Sequence, residues 1–430
     1  MMMPASEFAA FIGLDWEDEA HSVCLIPADG GAAQHSEVKH DPNGIADWVT
    51  ELRQRFGGRP VAICLEQSRG GLVYALMQYE FLVLYPINPK QLSDYRAALY
   101  PSGSKNDPND AELLARFLRD HPDKLRAWRP DDAVTRGLRL NTEQRRKWVE
   151  DRVAVSNELQ QRLKESYVLA LDFCHRHLWD ESFLALLDKF PTQRELQRAS
   201  PKQLEKHLPK RRRAASDPAD EELLRQRVAA VREAKPLTTD SAVLEHARLV
   251  VTNLVIMIRA LNQAIAEADA KIAELFAAHP DAAVFASFPG AGKAMAPRLA
   301  AAYGTDRDKF QDAAEMQQLS GIAPVTKASG KTKIVQMRWA CPKFLRQTFH
   351  EFARTSVRFS SWAKAYVAMR TADGDRYHEI IRGLAFKWQR ILTRCWSCRE
   401  EYDEQRYLER LRAHGSKLTA YLPTETPATP

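Results

Sequence analysis

The residues best suited to do chemistry are four carboxylates: Asp15, Glu66, Asp107 and Asp110. Oxygen-only side chains of this kind suit hard divalent cations such as Mg2+ or Mn2+. Two such ions held about 4 Å apart activate a nucleophile and stabilise the leaving oxygen of a phosphodiester. Each carboxylate falls where a short apolar run ends or a helix begins. Phe11-Ile-Gly-Leu-Asp15 and Pro60-Val-Ala-Ile-Cys-Leu-Glu66 both read as buried strands closed by an acid. Asp107-Pro108 reads as a helix start, with Asp as the cap and Pro at the first helical position. Asp110 follows three residues on and shares a helix face with Asp107. Capping alone explains Asp107 almost as well as metal binding does. The surrounding chain is basic, with 62 Lys and Arg against 56 Asp and Glu, a net charge of +6. An acidic metal site in a basic chain points to a polyanionic substrate, and so to phosphodiester chemistry on nucleic acid.

The elements that must position these groups fall into three regions of the 430-residue chain, a length that suits two or three domains. Residues 1–128 alternate strand and helix signals, which predicts an α/β domain with a mixed sheet flanked by helices. Residues 129–280 are helical. There Leu244, Ala247, Val251, Leu254, Ile258, Leu261, Ile265, Ala268, Ile272 and Leu275 recur at alternating steps of three and four, a heptad seam. A weaker seam around Val155, Leu159 and Leu163 offers an antiparallel partner, or the two pair across a homodimer or homotetramer. A charged insert, about 184–238, separates them and includes Lys210, Arg211, Arg212 and Arg213. It reads as a solvated insert or as a phosphate-contacting patch. Residues 281–413 form a mainly helical C-terminal region. Residues 414–430 read as a disordered tail, rich in Pro and Thr from Thr419.

Two stretches of the C-terminal region carry the signs of a nucleic-acid face. Phe288-Pro-Gly290-Ala-Gly292-Lys293 resembles the hairpin of a helix-hairpin-helix module, where backbone N–H groups hold a phosphate. Residues 316–350 hold no Asp or Glu, yet carry Lys327, Lys331, Lys333, Arg338, Lys343 and Arg346. The six cysteines are scattered, and Cys395 and Cys398 have no second pair to complete a zinc site, which fits a reducing compartment. No signal peptide or run of about 18 apolar residues stands out, so a soluble cytoplasmic protein with no membrane partner is expected.

The order strand Asp, strand Glu, helical Asp-x-x-Asp is that of a RuvC-like, ribonuclease H-type nuclease core. Ile12-Gly-Leu-Asp15, Cys64-Leu-Glu66, Ile87-Asn-Pro89 and Lys105-Asn-Asp107-Pro-Asn-Asp110-Ala-Glu-Leu-Leu-Ala115 resemble the N-terminal domain of the IS110-type insertion-sequence transposases, often called DEDD transposases. Phe288-Pro-Gly-Ala-Gly292, Leu319-Ser-Gly-Ile-Ala-Pro324 and Ala328-Ser-Gly-Lys331 are similar to that family's C-terminal domain. The resemblance spans roughly residues 8–128 and 240–375, and implies a coiled coil joining the two domains. It further implies a serine nucleophile at the position of Ser329, which becomes covalently linked to DNA while the carboxylates act beside it with Mg2+. It implies target and donor double-stranded DNA as substrates, and a structured non-coding guide, the bridge RNA, as partner. Ser320 and Thr326 lie close enough in sequence to be confused with Ser329. Trp16-Glu17-Asp18 is bulkier and more acidic than the family pattern suggests.

Other readings make different demands. A plain RuvC-like nuclease or junction resolvase needs the carboxylates and a metal-activated water but not Ser329. A catalytically dead nucleic-acid binder would cleave nothing. An actin-like ATPase or sugar kinase needs a Gly/Ser/Thr phosphate loop after the first strand, whereas Trp16-Glu17-Asp18-Glu19 would repel a triphosphate.

Overall fold

The apolar runs around the first carboxylates become the centre of a five-stranded mixed sheet. The computed structural model describes residues 7–66, 70–99, 107–174, 176–208, 218–330 and 332–422, with the backbone alone at 107–109, 218–221 and 223. The chain divides into two compact units, Met1–Pro130 and Asp131–Pro430. In the first, the elements run β1 (Ala10–Asp15), β2 (Ala20–Pro27), β3 (Gln34–Lys39), α1 (Pro42–Phe56), β4 (Val61–Leu65), α2 (Gly71–Leu76), β5 (Leu82–Pro86), α3 (Pro89–Leu99) and α4 (Asp107–Asp120). The sheet order is β3-β2-β1-β4-β5. Short turns make β1, β2 and β3 an antiparallel meander, while β4 and β5 run parallel to β1.

Period-two alternation sorts the two faces of this sheet. Ile12, Leu14, Ile63 and Leu65 pack with Ile45, Trp48, Val49 and Leu52 of α1. Phe11, Ala62 and Cys64 pack with Leu113, Leu114 and Phe117 of α4. Gly13 sets how closely α4 lies on the sheet. A Cβ there would sit 1.9 Å from the Ala111 carbonyl oxygen and 2.5 Å from the Ala115 nitrogen, a separation no other residue type permits. The edge strand β3 has no apolar alternation, since of its residues only Val38 is buried.

The second unit is almost wholly helical. It runs α5 (Ala133–Ser166), α6 (Glu181–Lys189), α7 (Gln193–Arg198), α8 (Pro201–His207), α9 (Pro218–Glu233), α10 (Ser241–Ala277), α11 (Ala282–Ala286), α12 (Gly292–Tyr303), α13 (Ala313–Leu319), β6 (Val325–Ser329), β7 (Thr332–Gln336), α14 (Lys343–Ser356), α15 (Ser361–Ala372), α16 (Tyr377–Cys398) and α17 (Glu404–Ala413). The heptad seam of α10 is filled within the chain. Arg145 pairs with Asp269, Arg152 NH1 donates to Asn262 2.9 Å away, and Leu159 and Leu163 share a core with Val251, Leu254, Val255 and Ile258. Partner numbers fall along α10 as they rise along α5, so the two helices are antiparallel neighbours. The seam is therefore satisfied without a second copy.

Three expectations change. The insert is no solvated excursion: Phe183, Leu184, Leu186, Leu187, Leu196, Leu204 and Val231 form its own core against α5 and α10. Its basic run, Lys210 to Arg213, lies outside the described residues. The tail is ordered further than expected, because residues Lys417–Tyr421 make a helical turn that buries Leu418 in the C-terminal core. Finally, α10 is long and apolar enough to cross a membrane by length and composition alone. Here one face of it packs on α5 and the insert.

Candidate active site

Asp15 and Glu66 stand side by side at the carboxyl ends of neighbouring parallel strands. Leu14 pairs with Leu65, and each carboxylate is the next residue along. Alternation puts both on the face of Gly13 and Cys64, the face that α4 covers. The helix runs antiparallel to β1: Phe11 shares a cluster with Phe117 and Leu118, while Gly13 lies against Ala111. The first turn of α4 thus arrives at the strand end that carries Asp15. Three of the four expected carboxylates are brought to one edge, with Asp15 half-buried, Glu66 exposed and Asp110 buried at 4%. The backbone of Asp107 begins α4, and its side chain lies outside the described residues.

Arg96 of α3 joins this edge, and the sequence reading missed it. Its Nη2 sits 2.6 Å from Asp110 Oδ1. The approach is an ion-pair contact off hydrogen-bond geometry, so Asp110 Oδ1 and Arg96 Nε are both buried without a hydrogen-bond partner. Arg96 thus already balances the charge of the buried Asp110 carboxylate. The donors fit a hard divalent ion in kind, since all are carboxylate oxygens. Among the described residues, no three His, Cys, Asp or Glu side chains converge into a metal-holding group as they stand. No local pattern marks Arg96; only the packing of α3 beside α4 reveals it.

The unusual Trp16-Glu17-Asp18 segment has a structural use. Ser22, opposite Asp15 in the β1–β2 register, donates its hydroxyl to Glu17 Oε1 at 2.9 Å. The Glu17 N–H donates to Nδ1 of the buried His21 at 3.2 Å, and His21 Nε2 lies 2.9 Å from His40 Nδ1. Because Nδ1 accepts, the His21 proton sits on Nε2 and is donated to His40. Burial, and then the neighbouring His40, push His21 below its ordinary pKa.

Ser329 lies elsewhere in character. It closes β6 opposite Thr332 of β7, at the tip of an exposed two-stranded ribbon turned by Gly330 at φ +56°. The segment is a hairpin. Its hydroxyl makes no hydrogen bond among the described residues of its unit. In the ribbon, Lys327 shares the face of Ser329, whereas Lys333, opposite Ala328, takes the other. Lys331 lies outside the described residues. Lys327, Lys333, Arg338, Lys343 and Arg346 have no ion-pair partner among the described residues. Arg346 instead lies 6.0 Å from the Trp339 ring centroid. Of the two confusable hydroxyls, Ser320 is fully buried and accepts from Gln389 Nε2 at 2.7 Å, and Thr326 is on the opposite face of the ribbon. Gly290 (φ +80°) packs its backbone on the end of α14, while Gly292 (φ +49°) and Lys293 are open to solvent.

A mixed sheet edged by carboxylates, followed in the same chain by a basic helical unit, is the build of an enzyme that works on DNA strands. Residues 12–168 match the DEDD family model described as a transposase and named for IS110, and residues 282–368 match the model described as the IS116/IS110/IS902 transposase family. The chain belongs to the IS110 family of transposases, enzymes that cut and rejoin DNA. Among its relatives is the Streptomyces coelicolor protein named for transposition of the IS117 mini-circle, 27% identical over 92% of this chain and 96% of that one. A 44.8 kDa protein of insertion element IS116 from Streptomyces clavuligerus is 24% identical over 87% of this chain and 91% of its own. The 42 kDa protein of IS900 from Mycobacterium paratuberculosis is 24% identical over 88% and 94%. Membership of a DEDD family implies dependence on a divalent metal.

Proposed function

We propose that this transposase recombines target and donor double-stranded DNA with Ser329 as nucleophile, assisted by Asp15, Glu66, Asp110 and Asp107. The observation that carries the reading is the in-register placement of Asp15 beside Glu66 at the strand ends, with Asp110 delivered by α4. The sheet order β3-β2-β1-β4-β5, with only the last two strands parallel to β1, supports a RuvC-like core. These carboxylates would hold Mg2+ or Mn2+, which when bound neutralises phosphate charge and orients the scissile group. In the covalent step the Ser329 Oγ–P bond forms as the P–O bond to the departing sugar breaks. The serine proton is lost and the leaving oxygen gains one, so the phosphodiester energy is kept in the phosphoserine link for rejoining. Lys327, beside Ser329 on the ribbon, stabilises the charge on the phosphorane.

The unpaired cations of the C-terminal unit and the open Gly292-Lys293 turn support contacts to nucleic-acid backbone. The bridge RNA as the source of sequence choice, and a homodimer or homotetramer acting in the cytoplasm, belong to the same proposal and rest on the family resemblance. A metal-dependent nuclease using water is favoured by one observation: among the described residues of its unit the Ser329 hydroxyl has no hydrogen-bond partner. Trapping on nicked DNA separates the two: the serine reading expects a covalent protein–DNA adduct lost in Ser329→Ala. Cleavage without an adduct favours water.

A further inference from the structure

The C-terminal end of α14 carries a cavity of about 440 Å³. Val357, Val367 and Ile381 give it an apolar floor, and Arg354, Arg358 and Tyr377 form its rim. The two arginines are exposed, Arg354 in the last turn of α14 and Arg358 just past its end, and neither has an ion-pair partner among the described residues. No carboxylate lines the cavity. Arginines nearby in the same unit are neutralised: Arg298 pairs with Glu351 and Arg370 with Asp375. Tyr377 opens α16, is 52% exposed and lines the cavity. Two free guanidiniums beside an accessible aromatic face match a ligand with one flat apolar surface and two negative charges.

The predicted phosphate-binding hairpin ends at the same place. A Cβ on Gly290 would lie 3.2 Å from Thr355 and from Ser356 backbone atoms and 3.0 Å from the ring of Phe359, itself 64% exposed. Thr355 is also a wall of the cavity. Gly290 thus packs on the same turn of chain that supplies Thr355 to the cavity.

We propose that this cavity seats an unstacked nucleotide of single-stranded nucleic acid, with its base against Tyr377 and its flanking phosphates on Arg354 and Arg358. Duplex offers phosphates but no free base face, and would leave the tyrosine and the apolar floor unused. The inference rests on the reading of the chain as one that handles nucleic acid, and it adds a site for a strand or loop outside the duplex.

The test is fluorescence anisotropy on the full chain with short single-stranded RNA, single-stranded DNA of the same sequence, and the duplex, across a salt series. Tyr377→Ala should weaken single-strand binding about tenfold while Tyr377→Phe leaves it unchanged, as expected for one lost stack. Arg354→Gln with Arg358→Gln should lower the single-strand salt slope by about 1.4, the value for two phosphates. Duplex affinity should stay as it was. Preference between the RNA and DNA arms identifies the source of the strand. Equal losses on single strand and duplex, or no loss on either, overturn the pocket, and adduct formation at Ser329 would then be untouched. A wild-type chain that binds none of the three probes overturns pocket and nucleic-acid reading together. All three side chains are at the rim, and an unchanged melting temperature confirms that the variants fold.

Discussion

The carboxylate edge of the N-terminal sheet and the serine ribbon of the C-terminal unit are built on opposite plans. Asp15, Glu66 and Asp110 sit on elements locked by register and by the close approach of α4 to Gly13. Ser329 sits on two strands exposed on both faces, with Ile334, Val335 and the nearby Trp339 at 48%, 60% and 75% exposure. The backbone of the acidic half is fixed by its own core; the serine half offers a basic, partly apolar and largely exposed surface. The contrast suits a division of labour. In the proposed reaction, metal ligands would have to be held to within a fraction of an ångström, while a nucleophile that joins DNA would need room for the strand it attaches to.

The sharpest way to break this contrast is Gly13→Val. The new side chain meets the α4 backbone, so the helix must move, and with it Asp110. A stability loss of about 3 kcal/mol is expected in denaturant melts, with loss of DNA cleavage. Next comes Asp110→Ala, which leaves the Arg96 guanidinium without its Asp110 partner. Arg96 is one-fifth exposed, so the expected cost is about 2–3 kcal/mol rather than the full penalty of a stranded buried charge. Adding Arg96→Met should return most of that stability and none of the activity. If the double variant stays as unstable as the single, the pair is not the reason.

A milder effect is expected from pH. Burial first, then Arg382, Arg346 and His378, hold His350 of α14 down to about 4 from 6.5. The folded state keeps this imidazole neutral while the unfolded chain takes up a proton below 6.5, so stability is full above that value and falls as pH drops towards 4. Thermal melts of His350→Gln should lose part of this dependence. The smallest change in stability should come from Ser329→Ala, within about 0.5 kcal/mol of the parent, as for an exposed position with no bonds. A large drop in melting temperature there would show that the ribbon is packed in a way its exposure does not suggest.

What was legible in the sequence follows the same divide. Asp15 and Glu66 could be placed because β1 and β4 are apolar on both faces and end abruptly at an acid. The start of α4 could be placed because Asp-Pro is a helix signal in itself. The edge strand β3 escaped notice because Gln34–Lys39 has no apolar face to alternate. The Ser329 hairpin gives no strand signal for the same reason, since nothing on it is buried. The insert was misjudged by its charge, which hid leucines spaced to cover the α5–α10 pair. The heptad seam was seen, but periodicity cannot tell a neighbour in the same chain from one in another. Arg96 gave no signal because its partner is set by how two helices cross.

The central claim is that the exposed serine, and not a water, attacks the phosphodiester. It is tested most directly by incubating the purified protein, with and without an added guide RNA, with nicked target DNA and Mg2+, then resolving denatured products for protein bound covalently to DNA. The account predicts an adduct whose phosphopeptide maps to Ser329, absent in Ser329→Ala, which should keep its fold. Cleaved DNA with no adduct, or an adduct that persists in Ser329→Ala, would contradict it.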